Sequence, residues 1–411
     1  MIKRTAATFL LLASTTIGVA FADERPLPNP QVPRLDHVFI IMMENHGYAE
    51  VIGNPYMPFV NAEATRANSA TNYFAIAHPS ATNYLEVVGG SNFAILNDNH
   101  PVWHDTSCAA NIFGGISYDN GVNGTPCVIY GSGMDAPTPL LDTNNETSGP
   151  PGIIEIDGIH SYPAAHTIGK TIADQLVEAH KSWKTYQEDL PHSGADGIQA
   201  SDGFFTDTTV FTPEEQAQGE TTGAINNLYR QEHNPFVYFA NVQASAHDGQ
   251  IPGVVAFDGP NGLYADLATG DVPSYSFIAP NRCNDQHATG SSPFCNHDPN
   301  DHGVLAGLNP GLMAVGDQEI EKLVEAIKAS PAWKREKSAI VITWDESDYA
   351  VAPITNQVVL IVDKNYGRQG VRSNRFYTHF SLLKTVEAAF RLPCLNHACD
   401  RDTAVMSDLF Q

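Results

Sequence analysis

Positive charge is scarce in this chain of 411 residues: 22 Lys plus Arg stand against 46 Asp plus Glu, and the formal net charge is −24. So large a deficit excludes a general electrostatic hold on a nucleic-acid backbone or an anionic membrane face. No apolar run beyond the first twenty residues approaches bilayer-spanning length, which excludes stable membrane insertion. There is no internal repeat, heptad array or clear linker. G-x-S-x-G is absent, so an α/β-hydrolase nucleophile elbow has no support. Only six cysteines occur, none in a C-x-x-C pair, which argues against a thiolate zinc site. Only 17% of residues are charged, while 42% are hydrophobic, so disorder of the whole is excluded and a large core can form.

The amino terminus reads as an export signal. Lys3 and Arg4 precede the apolar run Phe9-Leu10-Leu11-Leu12-Ala13, and Ala20-Phe21-Ala22 supplies an A-x-A cleavage pattern. Cleavage is expected after Ala22, leaving 23–411 as a single domain, secreted or periplasmic. Disulfides are permitted in that compartment. The simplest pairing of Cys108, Cys127, Cys283, Cys295, Cys394 and Cys399 closes the local loops 108–127, 283–295 and 394–399, although six cysteines allow other connectivities. Sequons occur at Asn123 and Asn145.

Buried-strand candidates are His37–Met43, Ala339–Trp344, Val358–Val362 and Pro235–Val242; continuous apolar strands of this kind belong in a parallel sheet covered on both faces. Helical periodicity places Ile320, Leu323, Val324 and Ile327 on one face, Ile168, Ile172 and Leu176 on another, and Leu382, Leu383, Val386 and Phe390 on a third. Alternating strands and helices predict an α/β class with a mostly parallel central sheet and helices on both faces. Polar stretches at about 100–160 and 190–222 read as insertions on the sheet's working edge.

Two candidate strands end in adjacent polar ligands, Glu44-Asn45 and Asp345-Glu346. Ligands in open α/β sheets gather beyond the carboxyl ends of strands, and carboxylates with an amide carbonyl suit a hard divalent cation. In His78-Pro79-Ser80-Ala81-Thr82-Asn83-Tyr84-Leu85, Ser80 is expected to cap a short helix ended by Gly89 or Gly90, in a positive field that suits an anion. Asn83, one turn on, is placed to donate to a phosphoryl oxygen. Asp285 and His287, two apart on an extended segment, face one side and could share an ion. His379 lies just ahead of the last predicted helix.

In this order, the M-E-N-H, H-P-S-x-x-N-Y-L, P-N-x-C-N-D-x-H, T-W-D-E and H-F-S-L-L segments resemble the phosphoesterase family of secreted acid phosphatases and phospholipases C, within the alkaline phosphatase superfamily. The likeness runs from about 36 to 393 and is closest to the shorter acid phosphatases. It implies an alkaline-phosphatase-like fold, Ser80 as nucleophile through a phosphoserine, and Asn83 on a phosphoryl oxygen. It also implies Glu44, Asn45, Asp345 and Glu346 as metal ligands, and Asp285, His287 and His379 around a second metal or phosphate subsite. His78 and Arg282 are candidate substrate-binding residues. The oxygen-rich site calls for Ca²⁺, Mg²⁺ or Mn²⁺, and the histidine-containing set suits Zn²⁺ or Fe. Thr82 replaces a proline common in relatives and becomes a rival nucleophile. The expected activity is phosphomonoester hydrolysis on small phosphate esters or lipid head groups. Phospholipase C chemistry and a non-catalytic, metal-stabilised binding protein are the alternatives.

Overall fold

The computed structural model of the chain describes residues 32–93, 95, 97–101, 126–134, 166–195, 199–200, 228–244, 253–287, 310–347 and 356–411. The export signal, both sequons, Cys108, Cys295 and most of the two polar insertions lie outside the described residues.

Eight strands form the main sheet: β1 (His37–Met43), β2 (Asn68–Ala70), β3 (Trp183–Gln187), β4 (Val254–Ala256), β5 (Tyr275–Ala279), β6 (Ser338–Trp344), β7 (Leu360–Lys364) and β8 (Arg372–Ser373). Their order is β8-β2-β7-β6-β1-β5-β3-β4. Every residue of β1, β5 and β6 is buried, which requires cover on both faces. Each Val, Ile, Phe or Met so buried contributes about 1.5–3 kcal/mol relative to exposure. β1 pairs in parallel with β5 and β6, β5 with β3, and β3 with β4, so the expected mostly parallel sheet is present. β7 departs from that expectation, running antiparallel to both β6 and β2. An apolar run reports burial on two faces, and that burial is the same for either strand direction.

The helices that frame the site are α1 (Pro58–Arg66), α2 (Ser80–Gly89), α3 (Ile172–Glu178), α4 (Pro310–Ala329) and α5 (His379–Phe390). α2 packs on α5, and α1 on α4. α4 buries Ile320, Leu323, Val324 and Ile327, as its periodicity predicts, and α5 buries not only the expected face of Leu382, Leu383, Val386 and Phe390 but all twelve of its residues. α3 begins later than expected. Thr171 caps it, accepting from Ala173 N at 3.1 Å, and Ile168 lies instead in a short strand paired with Ser132–Met134. Pro235–Val242 is not a strand but a 3-10 turn, Pro235–Tyr238, followed by a short helix from Ala240. Pro235 lacks the N–H a ladder needs, and a run buried all round carries no period to tell helix from strand. Cys394 and Cys399 are disulfide-bonded as expected, and Cys127 and Cys283 are also in disulfides. Among the described residues, no helix is long and apolar enough to cross a membrane.

One close approach positions the site. Gln286, at φ +83°, lies on Gly316 of α4, where an added Cβ would fall 2.2 Å from Gln286 Cγ. Its Oε1 accepts from Trp344 Nε1 at 3.0 Å and its Nε2 donates to Met313 O at 3.1 Å. Alanine has about 1 kcal/mol better helix propensity than glycine. Even so, Gly316→Ala is expected to destabilise by about 1–3 kcal/mol through overpacking. Urea unfolding measures this, and a gain in stability would show that Gln286 moves aside freely.

Candidate active site

β1 and β6 are level, with Met43 opposite Trp344, so Glu44-Asn45 and Asp345-Glu346 leave the sheet side by side at its carboxyl edge. Asp345 N donates to Met43 O at 3.0 Å, and Glu44 N donates to Asp285 O at 2.9 Å, which ties in the exit of β5. Asn45 turns at φ +56° and donates its backbone N–H to Asp345 Oδ1 at 2.9 Å. Three adjacent parallel strands thus deliver Asp285, Glu44 and Asp345 to one place.

α2 brings the serine. Pro79 is the N-cap and Ser80 the first helical residue, so Ser80 does not cap the helix as expected. Asp98 Oδ1 takes the Ala81 N–H at 3.0 Å, and the Ser80 hydroxyl instead donates to Glu44 Oε2 at 3.1 Å. The Thr82 hydroxyl donates to Ile95 O at 3.2 Å, so the rival nucleophile is engaged elsewhere. Gly90, at φ +71°, ends the helix against Leu395 O, as the sequence predicts.

His233, from the 3-10 turn Gln231–His233, completes the cluster, a residue that the sequence analysis passes over. Its Nε2 is 3.3 Å from Glu44 Oε1 and its Nδ1 is 3.3 Å from Asp285 Oδ2. Potential ligand atoms of Glu44, His233 and Asp285 all lie within 4.8 Å of one another, and all three residues are buried. Burial, then Asp345 and Asp285, holds the Glu44 carboxyl well above its usual range. Burial likewise holds Asp285 well above its own and pushes Asp345 up to about 6. Burial, then His287 and Arg282, holds His233 well below the usual imidazole range. A neutral imidazole has one N–H, so with a carboxyl group at each nitrogen, ionising both carboxyls would set one lone pair against another unless a cation intervenes. Glu44 Oε1, Asp285 Oδ2 and Asp345 Oδ2 have no hydrogen-bond partner. Buried anionic oxygens of this kind call for a counter-charge, and an oxygen-rich set with one imidazole fits a divalent cation.

The remaining expected residues fall around this centre. Glu346 lies beside it, with Oε1 2.9 Å from His78 Nδ1 and Oε2 accepting from Asn83 Nδ2 at 3.1 Å. Asn83 is held as a backbone clamp. Its Oδ1 accepts from Ile76 N and Ala77 N at 3.0 and 3.2 Å, and its Nδ2 also donates to Ala77 O at 2.6 Å. Both of its amide hydrogens are therefore engaged, a different placement from the phosphoryl donor expected. The expectation that His379 lines a second metal subsite is corrected. Its Nε2–H donates to the Asp345 carbonyl at 2.6 Å, so its Nδ1 must accept from Tyr73 OH at 2.7 Å, and neither nitrogen is left for an ion. Its burial lowers its pKa to about 4. Asp285 and His287 do not share an extended face: the segment turns, with Asp285 Oδ1 accepting from His287 N at 2.7 Å. The Arg282 guanidinium donates from Nη2 to His287 Nδ1 at 2.9 Å, and the His287 ring stands 6.1 Å from that of His233. A lone histidine outside any motif gives no signal in one sequence, and His233 is one of sixteen.

Fold and site together define an α/β protein with a serine and a cation-suited cluster at the carboxyl ends of its central strands. The sequence profile of the Phosphoesterase family matches residues 54–298 and 309–393, and the chain belongs to that family. It is 23% identical over 375 residues to an acid phosphatase of Aspergillus fumigatus, covering 90% of this chain and 58% of that one. To a phosphate-repressible acid phosphatase of Penicillium chrysogenum it is 23% identical, covering 79% and 52%. To a phosphatidylinositol-3-phosphatase of Mycobacterium tuberculosis it is 23% identical, covering 89% and 81%. The chain thus spans little more than half the length of the two fungal relatives. Among solved structures, a protein in the alkaline phosphatase superfamily from Vibrio parahaemolyticus matches at a TM-score of 0.44 and 12% identity, covering 90% of this chain and 71% of that one.

Proposed function

We propose that residues 23–411 form a single exported domain that hydrolyses phosphate monoesters through a phosphoserine at Ser80, with a divalent cation. The observation that carries this reading is the Ser80 hydroxyl, buried at the start of a helix and donating to Glu44 Oε2 at 3.1 Å beside three unpartnered carboxylate oxygens. Glu44, Asp285, Asp345 and His233 would hold the cation, whose charge would favour the serine alkoxide and neutralise phosphoryl oxygens. Glu44 orients Ser80 Oγ. As Oγ forms its bond to phosphorus, the hydroxyl proton leaves along that hydrogen bond and the P–O bond to the leaving group breaks. Water then cleaves the phosphoserine, returning Ser80 and inorganic phosphate. The partial positive charge at the start of α2 favours the phosphoryl group throughout. Arg282, kept beside His287 and with a buried Nε that makes no hydrogen bond, suits a substrate oxygen. His78 and Asn83 fix Glu346 and the chain leading into Ser80.

Small phosphate esters are the expected substrates, and the mycobacterial relative adds monoesters carried on a lipid head group. Purified protein should release phosphate from a chromogenic monoester and lose that activity on chelation. Preference for phosphatidylcholine over the monoester would instead favour a phospholipase C. An absence of turnover with every divalent ion would favour the binding protein.

A further inference from the structure

The turn 281–287, which carries Arg282, Asp285 and His287, is not held by the sheet ladder alone. It is held by Glu188 at the exit of β3, the neighbour of β5. Glu188 N donates to Ala279 O at 3.0 Å, extending the β3–β5 pairing by one step. Its carboxylate is buried, and Oε2 accepts from Asn281 N at 2.9 Å, while both oxygens accept from Asn284 Nδ2, each at 2.9 Å. Asp189, at φ +58°, accepts from Asn281 Nδ2 at 2.6 Å. Asn281 in turn caps the turn: its Oδ1 accepts from Cys283 N and Asn284 N, both at 2.9 Å, and its carbonyl accepts from Asp285 N at 2.8 Å. Asp285 O then accepts from Glu44 N at 2.9 Å. A continuous chain of hydrogen bonds therefore runs from Glu188 through Asn281 to Asp285 and on to Glu44. Only a carboxylate meets these N–H groups without presenting a donor of its own; glutamine would turn its NH₂ toward one of them.

We infer that Glu188 is a positioning residue for Asp285, acting through Asn281 and Asn284 to set the carboxylate at the cation. This rests on the reading of Asp285 as a cation ligand. Outer-shell partners of metal ligands, when removed, weaken metal binding by roughly 10–100-fold.

The test is Mn²⁺ titration by calorimetry on the full chain, without substrate. It compares the unaltered protein with Glu188→Ala, Asp285→Asn and the double variant, with unfolding midpoints taken in chelator. Glu188→Ala should weaken Mn²⁺ binding about 10–100-fold, and the double variant should bind no more weakly than Asp285→Asn alone, because the two act in series. Should Glu188→Ala fail to fold, Asn284→Ala removes only the bidentate contact and should show a smaller loss, again absent in the Asp285→Asn background. Wild-type affinity in Glu188→Ala while Asp285→Asn loses the ion, or losses that multiply in the double variant, would overturn the inference and leave the proposed function intact. Unchanged affinity in Asp285→Asn would overturn both.

Discussion

Ser80→Ala is expected to lower monoester turnover by on the order of 10³-fold or more, since loss of a covalent nucleophile removes the low-barrier route and leaves only binding and charge stabilisation. The substitution removes one oxygen at the start of α2, where the cap is Pro79 and the exposed N–H is taken by Asp98, so the helix should survive. The lost hydrogen bond to Glu44 should cost about 1 kcal/mol of stability. Steady-state kinetics, with a Mn²⁺ titration of the same sample, separates the possibilities. Lost turnover with ion binding retained within about tenfold supports the phosphoserine. Turnover that persists at near wild-type rate would assign the attack to Thr82 or to water.

The second large effect is the pH dependence of cation stabilisation. Glu44, Asp285 and Asp345 all have folded pKa values raised above their unfolded ones by burial, Asp345 to about 6. Stability from such groups is fully present below the unfolded value and is lost as pH rises through the folded one, so these three weaken the chelated protein as pH rises above about 4, Asp345 through about pH 6. His233 and His379 act oppositely. Their folded pKa values are lowered by burial, His379 to about 4, and their stabilisation is present above the unfolded value and lost as pH falls. The chelated slope is the difference of the two, but the increment on adding the ion has one sign, because every ligand must shed its proton to bind. At a hundred times the dissociation constant, Mn²⁺ should add about 2.7 kcal/mol. At equal ion concentration it should add markedly less at pH 5 than at pH 7. Differential scanning calorimetry at the two pH values, with Mn²⁺ or chelator, reads this directly. Equal increments would mean that the buried carboxylates do not hold the ion.

Much of the site was legible because its residues follow unambiguous elements. Val38–Met43 is apolar throughout and Ala339–Trp344 apolar but for Thr343, so the point where each run turns to carboxylates marks the edge of the site, and Glu44 and Asp345 follow. Pro79 ahead of Ser80 and Gly90 behind it made the helix start legible, while the role of Ser80 came only from the family resemblance. Asp285 was found, but through a mistaken geometry: an extended pair was expected where the chain turns back on its own carboxylate. His379 was misassigned because sequence shows a side chain's chemistry and not its partners, and Tyr73 and the Asp345 carbonyl occupy both of its nitrogens. His233 was invisible as a functional residue, and no role could be read for Glu188, for a related reason. Each belongs to the site only through contacts with strands far away in the chain. The strand direction of Leu360–Lys364 was unreadable because burial on two faces does not encode it.

The level pairing of β1 with β6 also bears on how the chain is made. Asn45 and Asp345, which touch across that pairing, are 300 positions apart, and β1 has no sheet neighbour other than β5 and β6. During synthesis the central strand therefore has no sheet partner until β5 (Tyr275–Ala279) emerges, and its other edge waits for β6 (Ser338–Trp344) in a chain of 411 residues. Contacts of such long separation form slowly, because the intervening loop must close before they repay it. The cation-suited cluster is thus among the last features to assemble. A truncated or stalled chain lacking residues beyond about 340 would keep the β1-β5-β3-β4 half of the sheet but lack Asp345 and the strands beyond β6, so acquisition of an ion would serve as a reporter of completed folding.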